Sequence, residues 1–199
     1  MLLGTASAAE TGWEKEKVTD DGIAVFSRAT AGTTVREVLA RMSVDAPAKH
    51  VFDAFMDPDT FKETNDKYVE KSTLYRVDDP NVWYNYQLVN FPVIAKRDYC
   101  LRYERKSDPE KGVYVISWRA SDRFGPPPQE DIVRVSNLKG TLKVTTDPSG
   151  KTSNVLYTLL ADPGGNIPTW LINIANRRSL PDILRQVQQE SVKRAKAGK

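Results

Sequence analysis

The chain is poor in the residues that carry most covalent and metal chemistry. Its 199 residues include one cysteine and one histidine. With Cys100 alone no internal disulfide is possible, and cysteine usage says nothing about compartment. His50 falls on an expected surface turn of helix with no cysteine or serine motif beside it, so it reads as solvated and not as a general base. Asp57, Asp59, Glu63 and Asp66 read as helix-end carboxylates, not as a metal cluster. Gly164-Gly165 lacks the lysine and the G-x-G-x-x-G spacing of a phosphate cradle, which leaves a tight turn. No apolar run approaches the ~20 residues of a membrane-spanning helix. Repeats and low-complexity tracts are also missing. No catalytic residues, no metal and no cofactor are expected.

What the chain does have is ordinary bulk with an uneven charge. A domain of this length buries roughly 70% of the surface its unfolded chain exposes. The net charge of +3 is too mild to suggest nucleic acid, and no such partner is expected. Residues 177–199 carry seven Lys or Arg against Asp182 and Glu190, a local excess of +5, so the remainder is slightly acidic. This basic end is either a solvated helix terminus favoured by the dipole or a transient contact with an anionic membrane surface. At the other end, "LLGTASAAE" has Ala6-Ser7-Ala8 in a small-residue cleavage pattern but no apolar h-region before it. Residues 1–12 therefore read as a signal-peptide remnant or a disordered extension. The protein would be exported or periplasmic in the first case and cytoplasmic in the second. Residues 13–199 form one domain, expected to be a monomer.

Turn signals at Asp21-Gly22 and Ala31-Gly32 frame two short strands. Asp45-Ala46-Pro47 then announces a helix with Val51, Phe52 and Phe55 at helical spacing, and Asp57-Pro58 starts a second. Strands are expected near 69–76, 82–89, 97–106, 113–120, 132–145 (two, broken near Asn137) and 153–161, followed by a long helix over 168–195. This order defines an α+β domain: a curved antiparallel sheet closed over by a C-terminal helix, with two short helices after the second strand.

Alternation places Arg97, Tyr99, Leu101 and Tyr103 on one face of their strand, Tyr114, Ile116 and Trp118 on one face of the next, and Val155, Tyr157 and Leu159 on one face of the last. The helix offers Leu171, Ile174, Pro181, Leu184 and Val187 to the sheet. These aromatics either pack a closed core or line an apolar cavity, where tyrosine suits a ligand because its ring is apolar and its hydroxyl is not. Arg97, on the aromatic side, needs an anion: Asp98, a loop carboxylate, or a ligand head group. The connection "FGPPPQED" at 124–131 is stiffened by three prolines yet begins with apolar Phe124.

"FPVIAKRDYCLRYER", "VRVSNLKGTLKV" and "SNVLYTLLADPGGNIPTWLINIANRRSLPDIL" together resemble the StAR-related lipid-transfer (START) domain family. The "RDY" at 97–99, "V-x-Y" at 155–157 and "DPGG-x-IP-x-WLIN" at 162–173 fall in the right order, over about residues 13–195. The resemblance implies a helix-grip fold with one lipid inside, no catalysis, and a lipid as partner. The pattern of "KRDY" and "NIPTWLIN" is most similar to the phosphatidylcholine-transfer branch, which implies Arg97 as the contact for a lipid phosphate and Trp118 and Tyr157 as members of a choline cage. Tyr103 stands where the cholesterol-binding branch has an arginine, and "FKETND" lacks an expected tryptophan, which leaves the branch open. A sterol or other hydrophobic ligand, bound or sensed, and a cyclase- or hydrolase-type enzyme of the wider helix-grip superfamily remain alternatives. Lipid-binding residues are thus expected at Arg97, Tyr99, Tyr103, Tyr114, Trp118, Tyr157, Leu171, Ile174 and Leu184. A gate is expected at Phe124, Pro127 and Pro181, because a proline within the helix cannot donate to the carbonyl of Arg177.

Overall fold

The structure, a computed structural model, describes residues 12–198; Gly12 apart, the reading of the first twelve residues lies outside them. The elements in chain order are β1 (Glu14–Val18), β2 (Ala24–Thr30), β3 (Thr33–Val44), α1 (Ala48–Met56), α2 (Lys62–Tyr68), β4 (Val69–Arg76), β5 (Val82–Val89), β6 (Lys96–Asp108), β7 (Val113–Ala120), β8 (Ile132–Arg134), β9 (Asn137–Thr146), β10 (Ser153–Asp162) and α3 (Thr169–Lys196). Short 3-10 turns occupy Pro58–Phe61 and Pro109–Lys111. The break expected near Asn137 separates β8 from β9. Strand β1 has no counterpart in the sequence reading. Its residues, EKEKV, carry no apolar alternation, and all five are exposed.

The strands form one sheet in the order β1-β2-β3-β10-β9-β7-β6-β5-β4, antiparallel throughout except for β8, which pairs in parallel with β6. β10 lies in the middle, with Tyr157 opposite Ala40 of β3 on one side and Leu142 of β9 on the other. The helix-facing residues of these strands meet α1 and α3 in one core: Val38, Ala40, Leu101, Ile116, Leu142 and Val155 against Val51, Phe52, Leu180, Leu184 and Val187. Each fully buried aliphatic side chain contributes on the order of 2 kcal/mol. The architecture is the expected helix-grip fold.

Helix α3 begins at Pro168, whose carbonyl accepts from the N–H groups of Leu171 and Ile172 at 2.9 and 3.2 Å. The buried stripe is Ile172, Asn176, Leu180, Leu184, Val187 and Ser191, steps of three and four residues. The sequence reading set its first half one to two positions off. Leu171 is exposed, and Ile174 borders an open groove of about 230 Å³ with Glu16, Lys17, Arg177 and Arg178. The cause is polar residues within the stripe: buried Asn176 donates its side-chain N–H to the carbonyl of Ala161 at 2.8 Å. Pro181 is buried and the helix runs continuously through it.

The basic character of residues 177–199 is largely met by carboxylates from earlier in the chain. Arg177 pairs with Glu16 at 2.9 Å, Arg185 with Asp21 at 2.7 Å, and Arg194 with Asp57. These pairs fasten α3 along its length and remove most of the free charge expected to draw it to a membrane.

Candidate functional site

Rings from five elements converge between the sheet and the helices. Trp118 of β7 has its ring centroid 5.8 Å from Phe55 of α1, 5.4 Å from Tyr157 of β10 and 6.3 Å from Tyr103 of β6. Tyr103 in turn stacks on Trp83 of β5 at 5.4 Å, and Tyr114 meets Phe52 at 5.5 Å. Gly140 of β9 makes this possible. A Cβ there would sit 2.3 Å from Trp118 Cζ2 and 2.6 Å from the Thr158 carbonyl oxygen, so the indole occupies the space a side chain would fill.

Tyr99 and Tyr103 show what lies among these rings. Both are half-buried. Yet burial pushes the Tyr99 phenol up to about 12, and raises Tyr103 further, with the Tyr99 and Tyr157 phenols adding to the effect. Both phenols therefore stand in a dry, apolar setting. Trp118, Tyr157 and Leu184 are buried, and Tyr114 is half-buried at the same core. Tyr99 is held by its hydroxyl, which donates to Gln87 Oε1 at 2.6 Å.

Arg97 is 4% exposed and has no carboxylate partner among the described residues. The obvious candidate, Asp98, points to the other face of β6 and is bound there by Arg134. One Arg97 Nη donates to the carbonyl of Ala95, Nε has no hydrogen-bond partner, and desolvation lowers the guanidinium pKa. The other Nη stands 3.4 Å from where a Cβ at Gly165 would be. Gly164 and Gly165, with φ of 65° and 69°, take the left-handed turn that brings the chain past this guanidinium into α3. The double glycine therefore serves a close approach to Arg97. Tyr103 lies six residues along β6 from Arg97, roughly 20 Å at strand rise. That is too far for Arg97 and the Trp118–Tyr157–Tyr103 cluster to grip the phosphate and choline of one head group.

The loop 121–131 lies on the opposite side of the sheet. Phe124 has its ring 4.8 Å from both Tyr75 and Tyr84, on the outer face with Tyr86 and Cys100. A Cβ at Gly125 would meet the Tyr86 ring at 2.9 Å. Arg134 fixes the loop further. It donates to Asp98 at 2.7 and 2.9 Å and to the Pro126 carbonyl at 2.8 Å, and the Tyr86 hydroxyl donates to Asp98 at 3.1 Å. Asp98 is 1% exposed. Phe124 is consequently not the free apolar tip expected of a flap, and Pro127 is exposed on a loop fastened away from the interior. The apolar tips lie elsewhere. Phe91, Val93 and Ile94 between β5 and β6 are exposed, with Val93 fully so and at φ 62°, unusual for a β-branched residue. Trp170 and Leu171 at the start of α3 are exposed as well. Arg97 links the two segments, being bonded to Ala95 and packed by Gly165.

Trp83 and Phe55 complete the interior and were not among the expected site residues. Trp83 shares its strand with Tyr84 and Tyr86 on the other face, so alternation alone does not say which face of β5 is inward.

A curved sheet gripping a long helix, with a buried cation that no carboxylate meets at one end of an aromatic interior, is a helix-grip arrangement. The chain belongs to the START domain family, whose family model matches residues 2–197. The human phosphatidylcholine transfer protein is 31% identical over 138 residues, which cover 68% of this chain and 63% of that relative, so the chain spans under two thirds of its length. The crystal structure of human STARD10 superposes with a TM-score of 0.77 at 21% identity, covering 94% of this chain and 75% of that one. A STAR-related lipid transfer protein from Xanthomonas axonopodis gives 0.73 at 24% identity, covering 90% and 98%. The two structural likenesses speak for the fold alone.

Proposed function

We propose that the protein encloses one phosphate-bearing lipid between its sheet and α3 and transfers it between membranes without catalysis. The observation that carries this reading is Arg97: a buried guanidinium with no carboxylate, at the edge of an aromatic interior. In a low-dielectric site such a cation is costly unless an anion joins it, and a lipid phosphate supplies one together with chains for the apolar space. A sterol offers no anion, which places it second. The relatives named as phosphatidylcholine transfer protein and lipid transfer protein agree with the class of ligand. Given the ~20 Å between Arg97 and Tyr103, the aromatic cluster receives acyl chain and not the choline of a head group held at Arg97.

Entry requires a membrane contact and a movement. The exposed Phe91–Ile94 loop and Trp170–Leu171 flank Arg97 and suit insertion at the headgroup level, where aromatic and aliphatic tips are favoured. Native mass spectrometry of the protein from its own host, with extraction of the bound lipid, tests the proposal, alongside transfer of labelled phospholipid between vesicles. A co-purified phospholipid in one-to-one ratio is the expected result. Recovery of protein that neither holds nor takes up phospholipid would refute it.

A further inference from the structure

The outer face of the sheet, opposite the lipid-facing side, carries a groove of about 260 Å³ that the lipid reading leaves unused. Its line of cations crosses three strands: Arg102 of β6 lies directly opposite Arg119 of β7, which lies directly opposite Lys139 of β9. Beside this line runs a row of hydroxyls, with Ser117 opposite Thr141 and Thr141 opposite Thr158. Glu37 and Glu104 stand at the borders and are already engaged. Glu37 binds Arg28 at 2.6 Å, and Glu104 binds Arg102 and Lys106, each at 2.7 Å. Arg119 and Lys139 have no hydrogen-bond or ion-pair partner among the described residues. Like charges directly opposite one another on an antiparallel pair destabilise it, and here Arg102 alone is met by a carboxylate, Glu104, while Arg119 and Lys139 face each other without one.

We propose that this groove is a second ligand site, and that it takes a soluble diphosphate ester. Two strand-to-strand steps set the three cations along about 10 Å, a line that suits linked phosphoryl groups better than a single carboxylate. The three hydroxyls beside it supply neutral donors to the remaining oxygens. The concavity and the bordering carboxylates favour a small anion over a planar anionic membrane. The charged and hydroxyl side chains stand on the face of the sheet opposite the lipid chamber, and Trp118 and Gly140 border both, so the two sites lie back to back.

The test is a titration with inorganic pyrophosphate at low ionic strength, followed by backbone amide NMR and calorimetry. Shifts centred on residues 117–120 and 139–141 are expected, and the Arg119→Thr/Lys139→Thr double variant should weaken pyrophosphate binding at least about tenfold. Without ligand that variant should melt no lower than the parent, because threonine suits a strand and the repulsion is gone. The Arg119→Lys/Lys139→Arg exchange should retain binding. Bound lipid should be unchanged in all variants, which separates failure here from failure of the lipid reading. Equal pyrophosphate affinity in parent and double variant overturns the proposal. So do identical shifts with sulfate at matched ionic strength, and anionic vesicles engaging this face while pyrophosphate does not.

Discussion

Replacing Arg97 by Met separates a ligand contact from a structural staple, because the two roles predict opposite signs. Met keeps the apolar stem and removes the charge and its donors. In the lipid-free protein the loss leaves the Ala95 carbonyl without its side-chain donor, a cost of about 1–3 kcal/mol if that oxygen stays dry. Against this stands relief of a desolvated cation that has no carboxylate and an unsatisfied Nε, a penalty of several kcal/mol for a buried ion. The lipid-free variant should therefore be as stable as the parent or more so. In the loaded protein the variant forfeits a charge-assisted hydrogen bond to phosphate, about 1.5–3 kcal/mol, or roughly a tenfold to hundredfold loss of phospholipid affinity. Melting of delipidated protein and the lipid-to-protein ratio by native mass spectrometry read the two effects separately. A delipidated variant that melts lower while phospholipid loading stays at the parental level would refute the reasoning. Arg97 would then be a brace between Ala95 and the Gly164–Gly165 turn.

The buried anchor of the outer loop should be costly to remove: Asp98→Ala leaves Arg134 and Tyr86 unpaired and should destabilise by about 3–5 kcal/mol in chemical denaturation. Gly140→Ala should cost about 1–3 kcal/mol, because the new Cβ meets the Thr158 backbone as well as the Trp118 ring, and tryptophan emission should shift as the indole is displaced. Val93→Asp with Ile94→Asp should slow transfer from vesicles while leaving lipid affinity near the parental value. Phe124→Asp should instead lower the melting temperature through loss of its Tyr75 and Tyr84 contacts, worth about 0.5–1.5 kcal/mol beyond burial. Normal transfer by the Val93/Ile94 variant would show that membranes are met elsewhere.

The strands from β4 to β10 were readable to within a residue or two because period-two alternation and Gly, Pro and Asp turns coincide there. β1 was invisible, since an edge strand made of Glu and Lys pairs through its backbone alone and needs no apolar face. The stripe of α3 was displaced because Asn176 and Ser191 interrupt its hydrophobic period, each satisfied by a backbone carbonyl that no local pattern announces. Arg97 stood out as an inward cation, but its lack of a partner depends on Asp98 turning the other way to meet Arg134, thirty-six residues along the chain. Phe124 shows the limit from the other side. An apolar residue in a proline-rich loop marks a contact, and only tertiary structure says whether that contact is a membrane or two tyrosines.

The central position of β10 also dictates an order of assembly. It is the seam between a half-sheet made of β1 to β3 and another made of β4 to β9, and it pairs Ser153 with Val44 across more than a hundred residues of chain. Neither half can close on the other until that strand has left the ribosome, and α3 emerges later still. The aromatic concave surface is therefore the last to be covered during synthesis, and such non-local pairing folds slowly, in milliseconds to seconds. A nascent chain in that state leaves this apolar face uncovered until the helix docks. Pulse-labelled hydrogen exchange should find β5, β6 and β7 protected before β10; simultaneous protection would mean that the seam forms with the first collapse.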